Sequence, residues 1–68
     1  MGTKETNKIE YAITEISANG VTTKSVYYSY RFVKGHISLA QKLNNKIISV
    51  IRTDLTSGET TDLTEKFI

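Results

Sequence analysis

Sixty-eight residues and 7.6 kDa leave room for one domain with a thin core, which excludes architectures that pair a cofactor domain with a separate catalytic one. Hydrophobic residues make up 38% and charged residues 24% of the chain, the balance of a folded domain rather than a disordered one. The net charge of +2 hides an asymmetry: between Glu15 and Asp54 there is no acid, while Lys24, Arg31, Lys34, Lys42, Lys46 and Arg52 fall inside that stretch.

Cysteine is absent, so neither disulfides nor thiolate metal ligands can reinforce the fold, and association is the remaining aid for so short a chain. A homodimer is expected on that ground. No apolar run approaches the ~18 residues that a membrane helix needs, and no signal-peptide core follows Met1. The expectation is a cytoplasmic protein with no membrane partner.

In chain order, residues 1–7 read as a polar N-terminal tail and residues 8–68 as a single small domain. Asn19-Gly20 predicts a two-residue type I′ hairpin turn, because that turn needs positive φ at both central positions. The register then pairs Ala18 with Val21, Glu15 with Lys24, Ile13 with Val26, Tyr11 with Tyr28 and Ile9 with Tyr30, and the last four of these pairs share one face. Tyr27 and Arg31 fall on the opposite, solvent-facing side. The run continues as a strand to Phe32, and Val33-Lys34-Gly35-His36 breaks the alternation.

Ser38 then reads as the N-cap of a helix of about two turns, with Leu39, Ala40 and Leu43 at helical spacing and Asn44-Asn45 as its left-handed end. Lys46 to Thr53 is rich in β-branched residues and reads as a third strand, apolar on both faces. Thr56-Ser57-Gly58-Glu59 reads as a turn. The segment from Thr61 to Ile68 fits either a fourth strand or a short helix capped by Asp62. The fold class expected is α+β, with a helix covering one face of an antiparallel sheet. Its expected core is Ile9, Tyr11, Ile13, Val26, Tyr28, Tyr30 and Phe32 with Leu39, Leu43, Ile48 and Val50.

The residues offer little for catalysis. His36 is the only histidine and the acids lie toward the two ends, so no nucleophile, base and orienting acid stand out. The four glycines are too scattered for a phosphate loop. The chain reads as non-enzymatic, with no cofactor and no metal. Its most informative run is Val26-Tyr27-Tyr28-Ser29-Tyr30-Arg31-Phe32. If Tyr28, Tyr30 and Phe32 share a face, they form either the core stripe or, flanked by cations, a stacking platform for single-stranded nucleic acid. Ser38 to Leu43 has the look of the first helix of a helix-turn-helix, but the β-branched residues after Asn45 do not suit a recognition helix.

Tyr27-Tyr28-x-Tyr30, Lys34-Gly35, Ser38-Leu39 and the later Ile47-Ile48, in the order hairpin, aromatic strand, short helix and strand, resemble the small phage-encoded inhibitors of uracil-DNA glycosylase over about residues 11–55. The same order is similar to that of small hairpin-helix-hairpin proteins of phage and bacterial genomes. The inhibitor resemblance implies a dimer that takes a protruding apolar side chain of the glycosylase into a hydrophobic pocket, with Tyr28, Tyr30, Leu39 and Leu43 lining or supporting it. The chain departs from that family in charge, since the family is acidic and the matching region here is basic.

Two functions follow as expectations. The first is a protein-binding module that inhibits or modulates a host protein, a DNA-processing enzyme among the candidates, through Tyr27, Tyr28, Tyr30, Arg31, Leu39 and Leu43. The second is a nucleic-acid-binding module that uses Lys24, Arg31, Lys34, Lys42, Lys46 and Arg52, with affinity that falls as salt rises.

Overall fold

A computed structural model describes residues 8–67 of the chain, so the N-terminal tail expected over residues 1–7 lies outside the described residues. The fold is α+β. Strands β1 (Ile9–Ile16), β2 (Thr22–Tyr27), β3 (Lys46–Asp54) and β4 (Thr60–Asp62) form an antiparallel sheet in the order β2-β1-β3-β4, and helix α1 (Tyr30–Lys42) packs on one face. A 3₁₀ turn at Thr64–Lys66 follows β4. The final segment divides between the two alternatives, a three-residue strand and then a helical turn, and the residue at the start of that turn is Leu63 rather than the expected Asp62.

The hairpin forms, but its loop is one residue longer than expected. Gly20 N–H donates to the Ser17 carbonyl and Ser17 N–H to the Val21 carbonyl. Gly20 takes φ +87° while Asn19 keeps a negative φ, the pattern of a three-residue loop that ends in a left-handed glycine. Ser17 Oγ accepts from the N–H groups of Asn19 and Val21, a local hydroxyl bond that favours this loop over the two-residue turn. The register therefore slips by one: Ile13 faces Ser25, Ala12 faces Val26 and Tyr11 faces Tyr27. Such a slip moves every β2 side chain to the other face, so Val26 leaves the core side and Tyr27 enters it.

A larger correction concerns the aromatic run. β2 stops at Tyr27, and Ser29, with extended φ −135° and ψ 132°, is the N-cap of α1. Its carbonyl accepts from the N–H groups of Phe32 and Val33. Tyr30 and Phe32 are therefore helical, and Tyr28, Tyr30 and Phe32 form no common strand face. Gly35, expected to let the backbone leave the sheet, lies inside the helix. The C-terminus matches expectation: Asn44 has φ +63°, Asn45 N–H reaches the Ala40 carbonyl and Asn44 N–H the Gln41 carbonyl, which satisfies the last carbonyls in a Schellman arrangement.

β3 forms as expected and carries a bulge. Thr14 faces Ser49 but Glu15 faces Ile47, which leaves Ile48 as the extra residue, 48% exposed. The bulge lets Ile47 and Val50, three residues apart, point to the same side. The buried core is Tyr11, Ile13, Val33, Ile37, Ala40, Ile47 and Val50, with Ile9, Tyr27, Leu63 and Phe67 packed around it. Of the expected core, Val26, Tyr28, Tyr30, Phe32, Leu39, Leu43 and Ile48 are exposed instead. The helix presents Val33, Ile37 and Ala40 to the sheet, a row that a start at Ser38 would hide.

These assignments separate two kinds of apolar residue on one helix. Ile37→Ala is expected to cost about 3 kcal/mol, the usual loss for a truncated core isoleucine. Leu43→Ser is expected to change stability by less than about 1 kcal/mol. Urea denaturation of the two variants checks this; equal losses would overturn the core assignment.

Candidate protein-binding surface

The helix turns a second apolar row outward. At about 100° per residue, Phe32, Leu39 and Leu43 fall within about 40° of one another, beside the buried row and not on it. They are 63%, 57% and 58% exposed. The row is three turns long, about 16 Å from Phe32 to Leu43. On its solvent side the helix places Arg31, Gly35, Ser38 and Lys42, all exposed. On its inner side lie His36 and the edge strand β2, where the Tyr27 ring is 6.5 Å from Phe32 and 5.4 Å from the His36 ring. The opposite flank of α1 faces the chain end: Tyr30 lies 6.0 Å from the Phe67 ring, and Gln41 Nε2 donates to the Phe67 carbonyl.

A polar cluster holds the helix at this angle. Glu15, in the middle strand β1, is a buried carboxylate on the helix-covered face. Its Oε1 pairs with His36 Nε2, and its Oε2 accepts from Asn45 Nδ2 at 2.8 Å. His36 Nδ1 meets the Tyr27 hydroxyl at 2.7 Å. A carboxylate can only accept, so Nε2 carries a proton toward Glu15; in the neutral imidazole, Nδ1 then accepts from the Tyr27 O–H. Three elements and the turn after α1 are tied together. The hydrogen bond from His36 and then the one from Asn45 hold the Glu15 carboxyl below its ordinary pKa, against the opposing effect of burial.

Phenol, imidazole and carboxylate in that order can pass a proton. Here the three groups bond to one another, with Asn45 on the second carboxylate oxygen, and no buried polar side-chain atom among the described residues lacks a partner. The described residues hold no cluster of three or more His, Cys, Asp or Glu side chains suited to a metal ion. The cluster's role in the fold is to orient α1.

Of the residues expected to bind a protein, Arg31, Leu39 and Leu43 come together on the outer face of α1. Tyr28 is exposed just after β2. Tyr30 lies on the far flank of the helix, its ring 5.9 Å from that of Tyr11. Tyr27 is half-buried against His36 and does not face solvent with Arg31, which corrects the expected exposure of that pair. Phe32, expected in the core stripe or a stacking platform, and Gly35 belong to this surface; spacing reveals their place on it only once the helix is known to start at Tyr30.

The cations expected to form a nucleic-acid face are dispersed. By register, Lys24 and Lys46 lie on the helix-free face of the sheet opposite Thr14 and Ile16. Arg52 pairs with Tyr11 on the helix-covered face and is half-buried. Arg31 and Lys42 border the apolar row, whereas Lys34 lies on the other side of α1, its Nζ 5.8 Å above the Tyr30 ring. Comparison with protein-family models, curated proteins and solved structures finds no match. No helix among the described residues is long and apolar enough to cross a membrane.

Glu15 also sets an acid limit on the fold. Its folded pKa is depressed, so its contribution is fully present above the unfolded value near 4.5 and is lost as pH falls through the lower folded value. Glu15→Gln is expected to cost about 1 to 3 kcal/mol at pH 7 and to flatten the decline in stability below pH ~4.5. Chemical denaturation of both proteins between pH 7 and 3 checks this; parallel pH profiles would overturn the assignment.

Proposed function

We propose that this chain is a non-enzymatic protein-binding module and that the outer row of α1, Phe32, Leu39 and Leu43, is the surface it presents. One observation carries the reading: three large apolar side chains, each more than half exposed, lie in a single line outside the buried core. Scattered surface apolar residues need no explanation, but a contiguous row with a charged border has the composition of a partner site. The row stands on a regular helix held from beneath by the Glu15, His36 and Tyr27 cluster, so its side chains keep a fixed spacing. A partner would meet a surface that needs little reordering.

Within this reading, a host DNA-processing enzyme is the partner that the glycosylase-inhibitor resemblance supplies, and the cytoplasm is the compartment where it would be met. The nucleic-acid reading has less support. Its six cations divide among both faces of the sheet and two flanks of the helix, and its aromatic ladder is interrupted by the start of α1.

A random peptide library displayed on phage and selected against the immobilised chain tests the proposal. Selected peptides are expected to lose at least about tenfold in affinity for the Leu39→Ser, Leu43→Ser double variant, a loss of about 1.4 kcal/mol, while its melting temperature stays near that of the parent. Peptides that bind parent and variant equally would overturn it. So would salt-sensitive binding of a single-stranded oligonucleotide that the double variant retains in full and that competes with the peptides.

A further inference from the structure

The border of the apolar row specifies its partner further. Helix α1 contains Arg31, Lys34 and Lys42 and no acidic residue along its whole length. Arg31 and Lys42 stand at the two ends of the row on its solvent side, about three turns apart. A ligand that lies along Phe32, Leu39 and Leu43 passes beside two exposed cations on one flank, with no acid of the same helix to neutralise them. A second copy of the chain packed antiparallel on this face would bring the same two cations against its own. A partner with carboxylates beside its apolar groups would pair with both.

Gly35 supplies an independent sign. It occupies the middle of α1 on the solvent side of the row, between Phe32 and Leu39. A Cβ built there meets nothing within 4 Å, and its φ is not positive. Neither the backbone nor any neighbour in this chain therefore requires glycine, although glycine inside a helix is destabilising relative to alanine. What glycine does provide is a notch in the ridge of side chains, through which another backbone can come close.

Taking these together, and resting on the protein-binding reading above, we infer that the outer face of α1 receives an acidic amphipathic helix of another protein. Its apolar side chains lie along Phe32, Leu39 and Leu43. Its backbone crosses closest at Gly35, and its flanking carboxylates meet Arg31 and Lys42. This is recognition of a helix by a helix face, with apolar anchors for affinity and rim charges for selectivity and approach rate.

Two synthetic helical peptides with identical leucines, one flanked by glutamates and the other by lysines, test the inference against the full chain by fluorescence anisotropy and amide chemical-shift mapping. The glutamate peptide is expected to bind with a footprint on residues 31–43 and the lysine peptide not to bind. Arg31→Glu with Lys42→Glu is expected to weaken the glutamate peptide at least about tenfold and to admit the lysine peptide. Gly35→Ala is expected to raise the melting temperature by about 4 to 8 °C while weakening the glutamate peptide about tenfold, a combination that damage to the fold would not produce.

Equal binding of both peptides on the row, indifferent to the charge variants, would overturn the acidic partner and leave the protein-binding surface standing. Failure of the glutamate peptide to reach the row would overturn the inference, and the library selection above then judges the surface separately. A dimer by sedimentation equilibrium that dissociates in the Leu39→Ser, Leu43→Ser variant would make a second copy the occupant and overturn it too. Gly35→Ala binding as tightly as the parent would remove the close crossing.

Discussion

A buried carboxylate in a domain this small is the constraint around which the rest is arranged. Glu15 sits in the middle strand beneath the helix, where an unpaired charge would cost several kcal/mol. Its position is tenable only because His36 comes down from α1 and Asn45 comes back from the turn after it. Those two bonds fix the rotation of the helix about its own axis more narrowly than apolar packing alone, since Val33, Ile37 and Ala40 would tolerate some roll against a smooth sheet. His36 lies on the helix between the buried row and the outer row. Anchoring it to Glu15 and Tyr27 therefore also settles which side chains face away, and Phe32, Leu39 and Leu43 are turned outward by the same contact that secures the core.

What could be read from the residues alone was the class of the fold and its local punctuation. A hairpin near Asn19-Gly20, a helix ending at Asn44, a β-branched strand from Lys46 and a turn around Gly58 each depend on neighbours in sequence, and each is present. The departures from that reading have both local and non-local causes. A hydroxyl at Ser17 lengthens the turn by one residue, which reverses the faces of β2. Alternating Tyr28, Tyr30 and Phe32 imitate a strand, but Ser29 caps a helix there, and Val33, Ile37 and Ala40 set the helical period that decides the matter. The bulge at Ile48 follows from pairing β3 with β1 and has no local signature.

The site was less legible still. Composition and resemblance point to Leu39, Leu43 and Arg31, yet their common outward direction depends on where α1 begins. Glu15 to His36 spans 21 positions and Glu15 to Asn45 spans 30, so no spacing rule connects them. A lone histidine with no acid nearby in sequence reads as unpartnered until the sheet is assembled. The basic stretch shows the converse effect. Its cations are continuous in the chain, but alternation along the strands and rotation around the helix distribute them over several surfaces.

The remaining tension is between folding and exposure. Among the described residues, seven buried apolar side chains form the core while nine large apolar residues are exposed, so the fold leaves outside much of what could have stabilised it. Six of those nine, Val21, Val26, Tyr28, Tyr30, Ile48 and Leu55, are scattered over loops, a strand, the bulge and the other flank of the helix, as on most protein surfaces. The other three are aligned. Alignment on a helix that also retains a glycine with no structural need for it describes a face shaped at some cost to the fold, and such departures from local consistency are where function is expected to lie.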